Sequence, residues 1–97
     1  MTAQHDETIH QALRLRIMAA LNALPAGEHL EFVRLRSILD ATDGNLGAHL
    51  ATLERAGYVE IDKRFDDKKP KTSIAISDKG RSAYTAHVAY LRQVIAG

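Results

Sequence analysis

The sequence contains no cysteine, which excludes disulfide bonds, thiol redox chemistry and thiolate metal sites. It has no apolar run of membrane-spanning length, and its first ten residues lack the basic start and apolar stretch of a signal peptide. We therefore expect a cytoplasmic protein with no membrane partner. Its 97 residues suffice for one core, so we predict a single domain over residues 1–97.

Patterns typical of enzymes are also missing. The sequence has no nucleophile paired with a base, no glycine-rich phosphate loop and no carboxylate pair set in a motif, so we expect neither catalysis nor a cofactor. The five histidines lack the spacing of metal ligands on a helix or short loop, which favours scattered surface or packing residues over a metal site. These histidines are His5, His10, His29, His49 and His87.

Positive charge is concentrated in one segment, although the formal net charge is only +1. Residues 1–62 carry five basic and nine acidic side chains, whereas residues 63–81 carry seven basic and three acidic ones. This distribution is expected of a local anion-binding surface. The alternative interpretation is a solvated loop whose lysines only confer solubility.

The spacing of apolar residues predicts the order of the structural elements. Proline and glycine at positions 25 and 27 end the first of them, and Gly57 is placed to end the fourth. In chain order we predict a helix over Thr8–Leu24, a short strand over Leu30–Phe32, a two-turn helix ending near Asp40, a helix over Asp43–Ala56 capped by Thr42, a hairpin of YVEIDKRF and TSIAIS around the polar turn DDKKPK, and a helix over Lys79–Ala96 capped by Asp78 or Ser77.

Two short helices joined by only two or three residues must cross at a steep angle, which is the helix-turn-helix arrangement. A β-hairpin follows the second of these helices directly. The predicted fold is therefore mainly α with a small β-hairpin, of class α+β, and has the winged helix-turn-helix order α-β-α-α-β-β-α.

The predicted helix over Asp43–Ala56 has two contrasting faces. Leu46, Leu50 and Leu53 form its buried stripe, and the opposite side carries mostly small residues, which suits a helix lying close against another surface. The DNA major groove accepts one helix and is read mainly by the helix's N-terminal residues. The candidate DNA contacts on this helix are Thr42, Asp43, Gly44, Asn45, Ala48, His49, Thr52 and Arg55.

Two of these residues have specific expected contacts, since Asn45 could pair with an adenine edge and Ala48 could meet a thymine methyl group. Free N–H groups near Thr42 and Gly44 could bind phosphate. Two alternatives remain open: the small residues could pack against another protein helix, and His49 could be a half-buried packing residue.

The hairpin tip supplies a second candidate contact. Its basic residues could follow the phosphate backbone or enter the minor groove, although Asp66 and Asp67 dilute their field. These basic residues are Lys63, Arg64, Lys68, Lys69 and Lys71.

The first and last helices, residues 8–24 and 79–96, carry apolar stripes that could bury each other and a partner's copies across a two-fold axis. Such a dimer would present two reading helices roughly 34–36 Å apart. The alternative is that the last helix only covers its own core. The candidate dimer residues are Ile9, Leu13, Tyr84, His87, Val88, Leu91 and Ile95.

The runs HQALRLRIMAALNALPAG, FVRLRSILDATDGNLGAHLATLERAGYVEI and KKPKTSIAISDKGR resemble the winged-helix DNA-binding domain family of bacterial and archaeal transcriptional regulators, and are similar to its MarR-like and ArsR-like groups. The resemblance extends from about His10 to Leu91. It implies a recognition helix at Asp43–Ala56, a wing from Arg64 to Thr72, and dimerisation through the terminal helices.

Two departures from the family pattern matter. ArsR-like metal sensors use cysteine in the helix before the turn, so the absence of cysteine excludes a thiolate metal sensor. Relatives often have proline at the position of Ala12, which leaves a break near the start of the first helix open. MarR-like regulators often bind a small aromatic ligand, but no pattern here identifies an effector.

The predicted function is a homodimeric transcriptional regulator that binds double-stranded DNA in a sequence-specific manner. The alternative is a winged-helix module that contacts protein or RNA without binding an operator, because one fold serves several kinds of partner.

Overall fold

A computed structural model of the protein describes residues 2–97, and within this range it contains five helices and one three-stranded antiparallel sheet. The fold is the predicted α+β winged helix. The elements are α1 Glu7–His10, α2 Ala12–Asn22, β1 Leu30–Glu31, α3 Phe32–Leu39, α4 Asp43–Arg55, β2 Val59–Asp66, β3 Lys69–Ile76 and α5 Asp78–Ala96. Within these residues, no helix has both the length and the apolarity required to cross a membrane.

The prediction of one continuous first helix is wrong, because the chain leaves helical geometry at Gln11, where ψ is 135°. Asp6 caps α1 by accepting from the N–H of Ile9, and Gln11 caps α2 by accepting from the N–H of Arg14. Ile9 is fully buried in the core, so tertiary packing sets the direction of the four-residue α1. Local capping and this buried anchor together divide the segment into two helices.

The helix-turn-helix connection is as short as predicted. α3 ends at Leu39, and its C-cap residue Asp40 adopts left-handed backbone geometry with φ of 51°. Thr42 then caps α4, since its side-chain oxygen accepts from the N–H of Asn45 at 3.1 Å. Gly57 follows α4 with φ of 79°, a conformation that glycine adopts at little cost.

The hairpin turn is shorter than the predicted polar turn. Asp66 pairs with Lys69, so only Asp67 and Lys68 form the turn, and both have positive φ. This backbone twist matches the twist of the flanking strands, as in the type I′ turns of two-residue hairpins. β1 pairs with β3 only at Leu30–Ile74 and Glu31–Ser73, so the outer half of the hairpin extends beyond the rest of the sheet.

The core lies between the helices and the inner half of the hairpin. Its buried stripe on α4 consists of the three leucines predicted from the sequence, and α5 begins at the N-cap Ser77. The buried apolar residues are Ile9, Ile17, Met18, Leu21, Leu35, Leu39, Leu46, Leu50, Leu53, Val59 and Ile74. Because α4 buries one face here, its opposite face is directed outward.

Candidate nucleic-acid interface

The outward face of α4 carries small and polar side chains. Gly44, Asn45, Ala48 and Arg55 are exposed. Within residues 2–97, no atom other than those of the chain neighbours and the nearby backbone of α4 lies within 4 Å of a Cβ placed on Gly44. Leu46, Leu50 and Leu53 on the opposite face hold the helix to the core. We call this exposed set, together with Thr42 and Asp43, the outer face of α4. A flat backbone surface of this kind can approach another surface closely.

Asp43 and Arg55 of the outer face, and the half-buried Thr52 beside it, make local contacts near the two ends of α4. The guanidinium of Arg36 on α3 donates to the carboxylate of Asp43 at 2.8 Å and so joins the two helices of the helix-turn-helix. Thr52 donates to the carbonyl oxygen of Ala48, and Arg55 donates to the hydroxyl of Thr52, both at 3.3 Å. Arg55 is therefore positioned along α4.

His49 lies apart from the outer face. Its ring is half-buried, and its Nδ1 atom is 3.0 Å from a guanidinium nitrogen of Arg14 on α2. Arginine has no acceptor, so the unprotonated Nδ1 of His49 accepts this hydrogen bond. The position matches the alternative of a packing histidine and makes His49 a link between α2 and α4.

A groove separates α4 from the hairpin. Gly47 and Ala51 form its helix wall, and Ile61, Lys63 and Thr72 form its hairpin wall. Both helix residues are half-buried at this point. The hairpin therefore runs beside the outer face of α4, and the two surfaces can face one partner together.

The basic residues of the hairpin differ in their ion pairing. Arg64 contacts Asp62, and Lys71 contacts Asp66 at 3.1 Å and Glu31 at 3.5 Å. These contacts raise the pKa of Lys71, mainly through its hydrogen bond to Asp66. Within residues 2–97, three hairpin lysines have no carboxylate oxygen within 4.0 Å, namely Lys63, Lys68 and Lys69. Two of these lysines, Lys68 and Lys69, lie at the turn or directly beside it.

Phe65 lies near the tip and is not among the DNA contacts predicted from the sequence. Its side chain is 78% exposed, and it lies opposite Pro70 one pair before the turn. Apolar residues alternate along β2 at Val59, Ile61 and Phe65, but this alternation alone does not predict whether the side chain near the end of the strand is buried or exposed. The hairpin therefore carries an apolar pair second from its turn, with the pair Arg64–Lys71 on one side and the pair Asp66–Lys69 on the other.

The candidate dimer residues fall into two groups. Ile9 and His87 are fully buried within the chain itself, so their side chains support the fold. Leu13, Tyr84, Val88 and Leu91 are half-buried, and Ile95 is 84% exposed near the end of α5. Val94 beside it is 59% exposed, so the C-terminal end of α5 presents an apolar surface.

Three of the five histidines lie together instead of being scattered, and one of them, His87, is a buried packing residue. The His10 and His5 rings lie 4.6 Å apart between centroids, and the His87 ring lies 5.3 Å and 5.4 Å from them respectively. Folding joins the N-terminal residues to α5, which spacing along the chain does not show. In the described part of the chain, no group of three or more histidine, aspartate or glutamate side chains is arranged to hold a metal ion.

Comparison with known proteins identifies the family. The model of the family described as "Winged helix DNA-binding domain" matches residues 13–95, which is most of the chain. The chain belongs to the winged helix DNA-binding domain family. A relative from Methanocaldococcus jannaschii, itself an uncharacterised protein, is 38% identical over 85 residues, covering 88% of this chain and 89% of the relative.

Two solved structures share the winged-helix fold. A transcriptional regulator homologue from Pyrococcus horikoshii OT3 superimposes with a TM-score of 0.84 at 32% identity, covering 95% of this chain and 88% of that one. HlyU from Vibrio cholerae has a TM-score of 0.63 at 20% identity, with coverages of 94% and 87%, and its similarity concerns the fold alone.

Proposed function

We propose that this winged-helix protein is a transcriptional regulator that binds double-stranded DNA in a sequence-specific manner. The observation that carries the proposal is the exposed outer face of α4, beside a hairpin with three lysines that lack a carboxylate partner within residues 2–97. Membership of the DNA-binding family and similarity to the transcriptional regulator homologue from Pyrococcus horikoshii support the same function. That homologue matches this chain over nearly its whole length.

In the proposed complex, α4 enters the major groove. Asn45 and Ala48 contact base edges, with adenine and the thymine methyl group as their chemical partners. Thr42 and the first N–H groups of α4 bind a phosphate, and Asp43 is kept from repelling it by its ion pair with Arg36. Arg55 and Thr52 would then contact the DNA backbone farther along the helix.

The hairpin acts as the wing. Lys68 and Lys69 at the turn bind backbone phosphates, and Arg64, Lys71 and Thr72 contribute along the strands. Phosphate contacts supply affinity and salt dependence, whereas base contacts supply the choice of sequence. The wing therefore increases binding to all duplexes and α4 distinguishes among them.

We further propose that the protein acts as a homodimer, in the manner of the MarR-like and ArsR-like regulators it resembles. The supporting observation is the exposed apolar end of α5 at Val94 and Ile95, which continues the half-buried positions Val88 and Leu91. Association of two copies would remove this surface from water, and a two-fold dimer matches a two-fold operator. Leu13 and Tyr84 would adjoin the same interface, with Ile9 and His87 beneath it.

Selection of bound duplexes from a random pool tests the proposal. We expect enriched sites with two inverted halves about one helical turn apart, and a gel shift that weakens as salt is raised. Absence of enrichment, together with absence of a shift at low salt, would contradict DNA binding. A parallel salt series with single-stranded RNA identifies RNA binding, and enrichment of single half-sites by a monomer would contradict the dimer.

A further inference from the structure

The segment Gln4–His10 is held across α5 by polar contacts, and we call it the N-terminal latch. The N–H of Gln4 donates to the carbonyl oxygen of Ala86 at 3.0 Å, and the N–H of Asp6 donates to Nδ1 of His87 at 3.0 Å. The carboxylate of Asp6 accepts from the hydroxyl of Tyr58, which lies just before β2. The latch thus contacts α5 and the end of the helix-turn-helix together.

The contacts of His87 require it to be neutral. Its Nδ1 atom accepts from Asp6, so the proton of the neutral ring is on Nε2, which donates to Nδ1 of His10 at 3.3 Å. A second proton on His87 would place a donor against the N–H of Asp6. A proton on Nδ1 of His10 would likewise face a donor, so the two contacts require a neutral His87 and an Nδ1 atom of His10 that carries no proton.

The surroundings of His87 oppose a positive charge. Burial lowers its pKa most, and the neighbouring His10 and His5 lower it further, while the Asp6 carboxylate raises it. The side chain is fully buried, and the Tyr90 ring of its own helix stacks 5.9 Å away between centroids. Tyr58 stays protonated, because burial and then Asp6 raise its pKa to about 12.

The latch is also connected to α4. The carbonyl oxygen of Thr8 in α1 accepts from Nε of Arg14, and another guanidinium nitrogen of Arg14 donates to Nδ1 of His49 on α4. Ile9, between these polar contacts, is fully buried against the core. A displaced α1 would therefore withdraw the oxygen that orients Arg14 and, through Arg14, the support of His49.

We propose that the N-terminal latch is a pH-sensitive device that regulates the DNA-binding face, closed while His87 is neutral and released when His87 gains a proton. Its effect on DNA rests on the proposed function, whereas the latch itself rests on the histidine contacts. Release would break the contacts of Gln4, Asp6 and His10 with α5, shift α1 and loosen the Arg14–His49 support of α4. Acidification would then weaken sequence-specific binding.

The direction of the pH dependence follows from linkage. In the closed state the latch is docked against α5, and the pKa of His87 is below its ordinary value of 6.5. The released state therefore binds more protons in acid than the docked state does. Docking is therefore at full strength above about pH 6.5 and weakens as the pH falls below it. A single linked proton changes the docking equilibrium by at most about tenfold per pH unit.

A fluorophore can report docking directly, since Thr2→Cys creates one labelling site in a chain without cysteine. We expect the anisotropy of the labelled full-length protein to be constant above about pH 6.5 and to fall in acid. His87→Gln offers an amide in place of the ring and should abolish this fall. His29→Gln, at an exposed histidine outside the cluster, is the matched control and should retain it.

Two readouts on the unmutated chain keep the test decisive if His87→Gln folds poorly. The His87 ring should titrate below its ordinary pKa of 6.5 by NMR. The protection factor of the Asp6 amide, which is its intrinsic exchange rate at each pH divided by the observed rate, should fall together with that titration. Docking that is insensitive to pH, or a His87→Gln variant with the same pH response as the control, would overturn the latch.

The effect on DNA is measured separately, with a duplex from the random-pool selection at constant salt. We expect the affinity of the unmutated protein to fall relative to His87→Gln by up to about tenfold per pH unit below about pH 6.5. Equal pH dependence of the two affinities would overturn the regulatory role. If no duplex binds at any pH, the proposed function fails, while the anisotropy still decides whether the latch exists.

Discussion

The hydroxyl of Ser77 donates a hydrogen bond of 2.6 Å to the carbonyl oxygen of Gly57, joining the start of α5 to the residue that ends the helix-turn-helix. The same hydroxyl oxygen accepts from the N–H of Gly80 at 2.9 Å and caps α5. One side chain therefore satisfies a helix terminus and fixes the junction that positions the wing between α4 and α5.

Ser77→Ala should lower the free energy of unfolding by about 1–2 kcal/mol, because it removes an N-cap and leaves the Gly57 carbonyl without this partner. Urea unfolding followed by circular dichroism measures the change. Ser82→Ala, at an exposed position in the same helix, is the control and should change stability by less than about 0.5 kcal/mol. Equal midpoints for the two variants would argue against a capping role.

The double variant Lys68→Ala, Lys69→Ala should weaken binding to all duplexes alike. Each lost phosphate contact reduces the slope of log affinity against log salt by about 0.9, so two contacts should reduce it by about 1.8. Gel shifts across a salt series give the slope. The control is Arg92→Ala, which removes a positive charge at an exposed position on α5 and should leave the slope nearly unchanged. An unaltered slope in the lysine variant would show that the wing does not contact the DNA phosphates.

Glu31→Gln should increase DNA affinity by a few-fold, because it frees Lys71 from one of its two carboxylate partners. Glu60→Gln removes the same charge from an exposed position on β2 and isolates the effect of net charge. Binding of one selected duplex to both variants at constant salt makes the comparison. Equal gains would show that only the overall charge matters and that Lys71 does not contact DNA.

Two glycines should respond to alanine in opposite directions. A Cβ on Gly80 would lie 2.1 Å from the carbonyl oxygen of Tyr58, so Gly80→Ala should destabilise the protein by about 1–3 kcal/mol. In the described part of the chain, a Cβ on Gly47 would meet no atom within 4 Å apart from its chain neighbours and the nearby backbone of α4, so Gly47→Ala should stabilise α4 by about 1 kcal/mol. Urea unfolding of both variants checks the pair.

The Gly47→Ala variant also tests whether DNA lies over the groove between α4 and the hairpin. The methyl group of Gly47→Ala would protrude into the groove between α4 and the hairpin, so we expect weaker DNA binding from a more stable protein. Unchanged or tighter binding would place the duplex away from that groove.

The sequence was sufficient for features that depend on neighbouring residues. Thr42 and Gly57 mark the ends of α4 through capping chemistry, and the structure confirms both positions. The buried face of α4 follows from leucines at helical spacing. Because the face opposite a buried stripe must be directed outward, the exposure of Asn45 and Ala48 could also be predicted.

The remaining features depend on contacts between distant parts of the chain. His87 meets Asp6 across 81 residues and His10 across 77, so no local spacing could predict the cluster. The break at Gln11 has the same origin, since Ile9 is fixed by burial in the core. The pairing of Lys71 with Glu31 likewise depends on the position of β1, which the sequence predicted only as a short strand.

The limited pairing of β1 has a consequence for self-association. Beyond Ser73, β1 no longer covers β3, so the outer edge of residues 69–72 is open, and an open strand edge invites pairing with another chain. Pro70 lies in this stretch and has no N–H to offer, and lysines flank it on both sides. The wing can thus project from the domain while resisting edge-to-edge aggregation.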